Sequence, residues 1–429
     1  MADVLDSDFE AVAIQALDDL WLPVFVRNHP FLDRLTMKKA GGTGYRIPVE
    51  TGPGGGASGD FADSLANSAE NGFTGAGFTV NPAIVYGNTR IQWQMQPYSD
   101  TPQSPVDIAL NSTKNAMEIA TENLANMLLG QTTGAAGAYA QISTASNTSG
   151  TIWDITLTLQ TDAPKFSIGQ SVVTKATATS VLDAGSGKVL GVNAIAGIIT
   201  VDAGSTGFTP TANHIMGLQG QLLAASDVSG QYASVLQWVP TVDNRTSGVP
   251  TVSPFLGVTR TAQSNVAAVS GWAFDGSGVP IFQAVYGTAA YMANASKMAR
   301  PDCLYVNPLV LPKMAQECDA KVRYDMSSTK GVEVEFAGFE VVLPTGKCDV
   351  MAEPSVPVNQ MLLSKSGSWE FAPPGGGNIF RPATNGKLII DSFTGNESRC
   401  TVMATGFFGC NELISNAWIK VGTPNGLKF

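Results

Sequence analysis

Residues Ser104–Gly130, SPVDIALNSTKNAMEIATENLANMLLG, are the stretch from which the rest of the chain can be read. Ser104 suits an N-cap, Pro105 the first helical position, and Asp107 the first turn, where a negative charge meets the positive end of the helix dipole. Val106, Leu110, Met117, Leu124 and Leu128 fall on one stripe with Ala109, Ala116 and Ala120. That is the 3.6-residue period of an amphipathic helix. Gly130 is placed to end it. About 24 residues at 1.5 Å each give a rod of roughly 36 Å, long enough to be the spine of a domain.

Upstream, Tyr45–Glu50 alternates as a short strand, a polar glycine-rich tract runs from Gly52 to about Gly77, and a strand is predicted over Phe78–Gln96. In its second half Ile91, Trp93 and Met95 alternate with Arg90, Gln92, Gln94 and Gln96, the period of a half-buried strand. Two strands around a tip containing Gly54, Gly55 and Gly56 predict an extended hairpin over 44–100, with Gly87 as a bulge candidate. Gly54-x-Gly56-x-x-Gly59 has the form of a dinucleotide fingerprint. No amphipathic helix follows it and no acid ends a second strand, so it is read as a loop tip. Residues 1–43 read as an N-terminal arm. Phe9, Val12, Ala16 and Leu20 recur at helical spacing over Ser7–Leu20, and Trp21, Phe25 and Phe31 follow in a connector. An apolar arm needs a surface to lie on, in its own subunit or in another.

Downstream, residues 134–260 contain no glutamate and are rich in Thr, Ser, Ala and Gly. Short runs such as Ile152–Leu157, Gln170–Thr174, Lys188–Val192 and Gly197–Val201, separated by turn residues, predict an inserted small β-barrel or sandwich. Over 261–429 the pattern is mixed. A helix is predicted at Ile281–Met298, a break at Arg300-Pro301-Asp302, a strand at Cys303–Val306, and a second helix from Asn307-Pro308 to Cys318. Strands are predicted around Val332–Phe336, Phe339–Leu343, Met361–Leu363, Leu388–Ile390 and Cys400–Phe408. The fold class is α+β.

Composition narrows the function. Charged residues are 14% of the 429, against roughly 25% in ordinary soluble domains. A surface so poor in charge suits a protein largely covered by neighbours. The net charge of −10 and the absence of a basic run exclude a sequence-reading nucleic-acid binder. The acidic start has no positive n-region and no apolar run approaches 18 residues, so neither a signal peptide nor a membrane helix is expected. Five cysteines without C-x-x-C spacing are expected to be reduced and buried. With two histidines far apart, His29 and His214, no catalytic or metal centre and no cofactor is expected.

Arm, long hairpin, spine helix and mixed C-terminal half, in that order, resemble the major capsid protein of tailed double-stranded DNA phages, the Hong Kong 97-like fold. Pro254-Phe255-Leu256-Gly257-Val258-Thr259-Arg260 followed by Gly271-Trp272 resembles the family's leucine-Gly-x-x-Arg … Trp passage. The helix, Arg300-Pro301-Asp302, strand, Asn307-Pro308, helix succession is similar too, as is the ending Arg399–Gly409 then Ala417-Trp418-Ile419. The resemblance implies an icosahedral shell subunit rather than an enzyme. Residues 44–100 would be the extended loop, 101–133 the spine helix of a peripheral domain, 134–260 an inserted domain, and 261–429 the axial domain with returning peripheral strands. The implied partners are copies of the chain in hexamers and pentamers, packaged DNA bound without sequence specificity, and scaffolding, portal and decoration proteins. The implied location is the virion capsid, assembled in the host cytoplasm, with no membrane contact. Candidate inter-subunit contacts are Phe9, Val12, Phe25, Phe31, Gly54, Gly55, Gly56, Phe78, Ile91 and Trp93. The tip contains no lysine for the covalent cross-link some members form. Two alternatives remain: a nanocompartment shell of the same fold, and a secreted β-rich carbohydrate-active or adhesive protein.

Overall fold

The computed structural model describes residues 29–52, 58–70, 74–92, 104–130, 137–177, 180–222, 232–239, 254–263, 265–296, 299–318, 339–375, 379–382, 389–391 and 397–422. The long helix spans Ser104–Leu128, and Ala116, Met117, Ala120, Leu124 and Leu128 of its stripe are buried. It lies across strands β4 (Ala83–Gln92) and β19 (Glu397–Cys410). The alanines bring the backbones together at Gly87, where a Cβ would stand 2.0 Å from the Ala116 carbonyl oxygen. Gly87 is therefore a point of close approach and not a bulge. The β4–β19 register runs unbroken from Ala83 opposite Gly406 to Gln92 opposite Glu397.

β19 organises the first sheet. β16 (Trp369–Ala372), β17 (Phe380–Pro382) and β18 (Ile389–Asp391) pair with successive stretches of one side, and β4 pairs along the other. β1 (Thr36–Met37) extends the sheet parallel to β16. Cys400, Val402 and Ala404 are buried between sheet and helix, while Arg399, Thr401 and Met403 alternate onto the opposite face.

The second sheet has the order β11 (Trp272–Asp275), β20 (Ala417–Lys420), β15 (Gln360–Ser364), β12 (Cys303–Val306), β14 (Gly346–Ala352), β13 (Phe339–Leu343). Its central strands read as continuous apolar runs because both faces are covered. Leu304, Val306, Met361, Leu363 and Ile419 share a core with the helices Ile281–Ala295 and Leu311–Cys318. Cys303, Tyr305, Leu362 and Trp418 turn to the core of the first sheet. The strand predicted at Val332–Phe336 lies outside the described residues.

Six strands between the long helix and Leu218 close into a barrel, in the order β10 (Ile215–Leu218), β5 (Ala140–Ser149), β6 (Ile152–Leu157), β9 (Ile198–Asp202), β8 (Gly187–Asn193), β7 (Ser171–Lys175). The barrel strands end at Leu218. Tyr232, Trp238 and Phe255, inside the expected 134–260 span, pack beneath the first sheet and the hairpin, Tyr232 donating to the Ala83 carbonyl (3.0 Å) and meeting the Phe371 ring at 5.7 Å, and Trp238 and Phe255 meeting the Phe78 ring. A buried cation fastens the root of the barrel. Lys165 Nζ donates to the Gly130 carbonyl just past the long helix (2.7 Å) and to the Tyr139 carbonyl (3.3 Å). It also pairs with the buried Asp162 at 2.7 Å. Burial pushes the Asp162 carboxyl up, and Lys165 opposes that shift.

Candidate assembly surface

The hairpin pairs β2 (Tyr45–Gly52) with β3 (Thr74–Val80), with a bulge between Glu50 and Gly52. The strand predicted as Phe78–Gln96 is broken at Asn81-Pro82, because proline has no N–H to continue a ladder. β3 stays in the hairpin, and β4 crosses into the first sheet.

Alternation gives the hairpin a buried face, with Ile47, Val49, Phe78 and Val80 inside, while Arg46, Glu50 and Thr79 are exposed. An aromatic clamp holds the base. Phe78 meets Trp238 edge-on at 5.0 Å and Phe255 at 6.0 Å, and those two rings meet at 5.1 Å. The buried Arg260 guanidinium lies 3.9 Å from the Phe255 ring centroid and 5.8 Å from that of Phe78. It donates through Nη1 to the Gln237 carbonyl (3.0 Å), and burial pushes its pKa down to about 9, still charged at neutral pH. Leu256, with φ of 45°, accepts from the Thr79 amide at 2.9 Å. The Phe255–Arg260 passage singled out in the sequence is thus the socket of the hairpin.

The far end is different. Within the tract expected to be only a polar loop, residues Phe61–Glu70 form a helix. Asp60 caps it, its Oδ1 accepting from the amides of Ala62 (2.7 Å) and Asp63 (3.4 Å). Phe61 and Leu65, one turn apart, are 83% and 60% exposed. The signal for this helix was in the sequence: an aspartate followed by ten residues with neither glycine nor proline and with an apolar pair at i,i+4.

The candidate contact residues divide as follows. Phe31 is 1% exposed and packs edge-on against Tyr305 (5.3 Å), Trp369 (6.1 Å) and Phe408 (6.4 Å). Phe78 has no exposed surface. Both are core residues of their own subunit, which corrects their assignment as inter-subunit contacts: no area remains for a neighbour to touch. Ile91 lies in β4 opposite Ser398. Phe9, Val12, Phe25, Gly54, Gly55, Gly56 and Trp93 lie outside the described residues, as does the predicted Ser7–Leu20 helix.

Several titratable side chains of the described residues hold the fold together. His29 Nδ1 pairs with the buried Glu353 at 2.8 Å, whose second oxygen accepts from the Phe31 amide at 3.2 Å, fixing the start of the described chain. His214 pairs with Asp183 at 2.8 Å on the barrel. Cys303, Cys348, Cys400 and Cys410 are free and buried. Burial pushes the Cys303 and Cys348 thiols up to about 12, so neither is a nucleophile at neutral pH. Among the described residues no group of three His, Cys, Asp or Glu is placed to hold a metal, and no helix is long and apolar enough to cross a membrane.

No protein-family model and no curated protein matches the chain. Among solved structures it is similar to a chain of the cyanophage A-1(L) capsid asymmetric unit, at 9% identity over 92% of this chain and 93% of that one, with a TM-score of 0.46. It is similar to the capsid of a native GTA particle, at 8% identity over 90% and 88%, TM-score 0.42. It is also similar to the holo-SrpI encapsulin complex from Synechococcus elongatus, at 9% identity over 92% and 88%, TM-score 0.39.

Proposed function

We propose that the chain is the structural subunit of an icosahedral phage capsid and that it self-assembles around the genome without catalysing a reaction. The observation that carries this reading is the hairpin: socketed at its base by Phe78, Trp238, Phe255 and Arg260, and ending in a helix whose Phe61 and Leu65 face solvent. A subunit that anchors a lever so firmly and leaves an apolar pair at its end is built to engage another copy. In this reading the first sheet with the long helix is the peripheral domain, the second sheet with its two helices is the axial domain, and the barrel is an insertion. Copies form hexamers and pentamers. The arm residues Phe9, Val12 and Phe25, the tip glycines Gly54–Gly56, and the Ile91–Trp93 strand end add contacts in the shell. Scaffolding, portal and decoration proteins, and DNA held without sequence specificity, complete the virion, which is assembled in the host cytoplasm. Each contact is individually modest, and repetition makes the shell stable.

Phe61→Ser combined with Leu65→Ser tests the role of the tip. Burying two such side chains contributes about 1.5–3 kcal/mol each. The variant is expected to keep the wild-type melting profile while the yield of closed particles falls at least ~10-fold. Wild-type particle yields would remove the hairpin tip from the assembly contacts.

A further inference from the structure

The socket that holds the hairpin contains more donors than acceptors. Among the described residues three buried side-chain nitrogens reach no acceptor, Trp238 Nε1, Arg260 Nε and Arg260 Nη2, and all three belong to this one cluster. Trp238 has no exposed surface and Arg260 is 1% exposed. The Trp238 and Phe255 rings meet at 5.1 Å, and the Arg260 guanidinium lies 3.9 Å from the Phe255 centroid. Nη1 is satisfied by the carbonyl of Gln237, the residue before Trp238. That leaves Nε and Nη2, an edge of the guanidinium fork that suits an anion. Among the described residues no carboxylate acts on this cation.

An indole and a guanidinium donate and never accept, so whatever completes them is an acceptor. A buried N–H left unpaired keeps its full desolvation penalty, and a charged one keeps more. The oxygens around the socket are already engaged. Gln237 Oε1 accepts from the Ser234 amide (3.2 Å), the Leu256 carbonyl from the Thr79 amide (2.9 Å), and the Phe255 and Val258 carbonyls from each other's amides (2.9 Å each). A water molecule would accept here, but it brings two hydrogens that need acceptors of their own. A small monovalent anion only accepts, and it balances the single charge of Arg260. We propose that the socket binds such an anion, of the size of chloride, between the Nε–Nη2 edge of Arg260 and the indole N–H of Trp238. Phe78 of β3 packs on both residues that hold the ion, so the order of the hairpin depends on the concentration of the anion. The inference does not depend on the capsid reading, since it concerns the free subunit.

The test uses the full chain as free subunits at constant ionic strength, with sodium chloride exchanged stepwise for sodium gluconate, whose anion is too large for a buried site. Hydrogen exchange is followed along the chain. The amides of β2 and β3 are expected to exchange at least about threefold more slowly in chloride, with a saturating dependence on its concentration, and bromide is expected to replace chloride. Trp238→Phe keeps a ring and removes one donor, and is expected to need about tenfold more chloride for the same protection. Arg260→Lys keeps the charge and removes the two-donor edge, and is expected to lose the saturating response. The wild-type titration decides even where a variant fails to fold: protection of β2 and β3 that ignores chloride, or that rises without saturating, would overturn the proposal. An unchanged chloride dependence in folded Trp238→Phe would overturn it as well.

Discussion

Phe78→Ala is expected to destabilise the subunit by about 3–5 kcal/mol, the range for removing a large buried aromatic. The cavity would open among Trp238, Phe255 and Arg260, whose rings and guanidinium cannot close over it without leaving one another. Arg260 would lose one of the two rings beneath its buried charge, so the loss is electrostatic as well as apolar. Denaturant melts measure the effect. Thr79→Val, one residue on and exposed, supplies the control and is expected to stay within about 0.5 kcal/mol of wild type. Because the socket sets the angle of the hairpin, Phe78→Ala should also raise hydrogen exchange in β2 and β3 ahead of the rest of the first sheet. Equal stability in the two variants would show that the hairpin is held by something other than this clamp.

Lys165→Met is the second large effect. The ammonium joins three things that otherwise have no common partner: the chain just past the long helix at Gly130, the first barrel strand's approach at Tyr139, and the buried Asp162. Removing one member of a buried pair and leaving the other charged costs about 3–5 kcal/mol. Asp162 can relieve this by taking a proton. Its carboxyl, already pushed up by burial, would rise further once Lys165 is gone. A carboxyl whose folded pKa lies above its unfolded one penalises the native state above the unfolded pKa of roughly 4. The penalty of Lys165→Met is therefore expected to be largest near neutrality and to shrink as pH falls towards 4. Asp162→Leu with Lys165→Met should recover most of the loss, since a well-packed apolar pair replaces a buried ion pair at little cost. A penalty independent of pH would assign the effect to lost packing instead.

Much of this architecture is legible in the sequence where periodicity is strong. The long helix shows itself by its cap, stripe and terminal glycine, and β6 to β9 by short apolar runs between turn residues. The second sheet is visible only as strands. The sharing of its faces between two cores depends on tertiary packing, which a run such as Cys303-Leu304-Tyr305-Val306 does not encode. β5 is not legible because, Ala145 apart, its residues after Ile142 are polar and mostly exposed, so nothing distinguishes it from a loop until the barrel closes. The tip helix is masked in the sequence by the glycines on either side of it within 52–77. An aromatic residue in an arm or hairpin, such as Phe31 or Phe78, has two possible destinations, its own core or a neighbouring subunit. The sequence does not say that Tyr305, Trp369 and Phe408, or Trp238 and Phe255, lie beneath them. Arg260 stood out as part of a passage, but its seat between aromatic rings follows only from bringing together residues 78, 238 and 255.

The most direct test of the capsid reading is electron microscopy of the full chain, expressed alone and again with the genes that flank its own. Closed shells, partial shells or tubes built from this chain in either preparation are the predicted result. A uniform monomer or small oligomer in both would contradict the account.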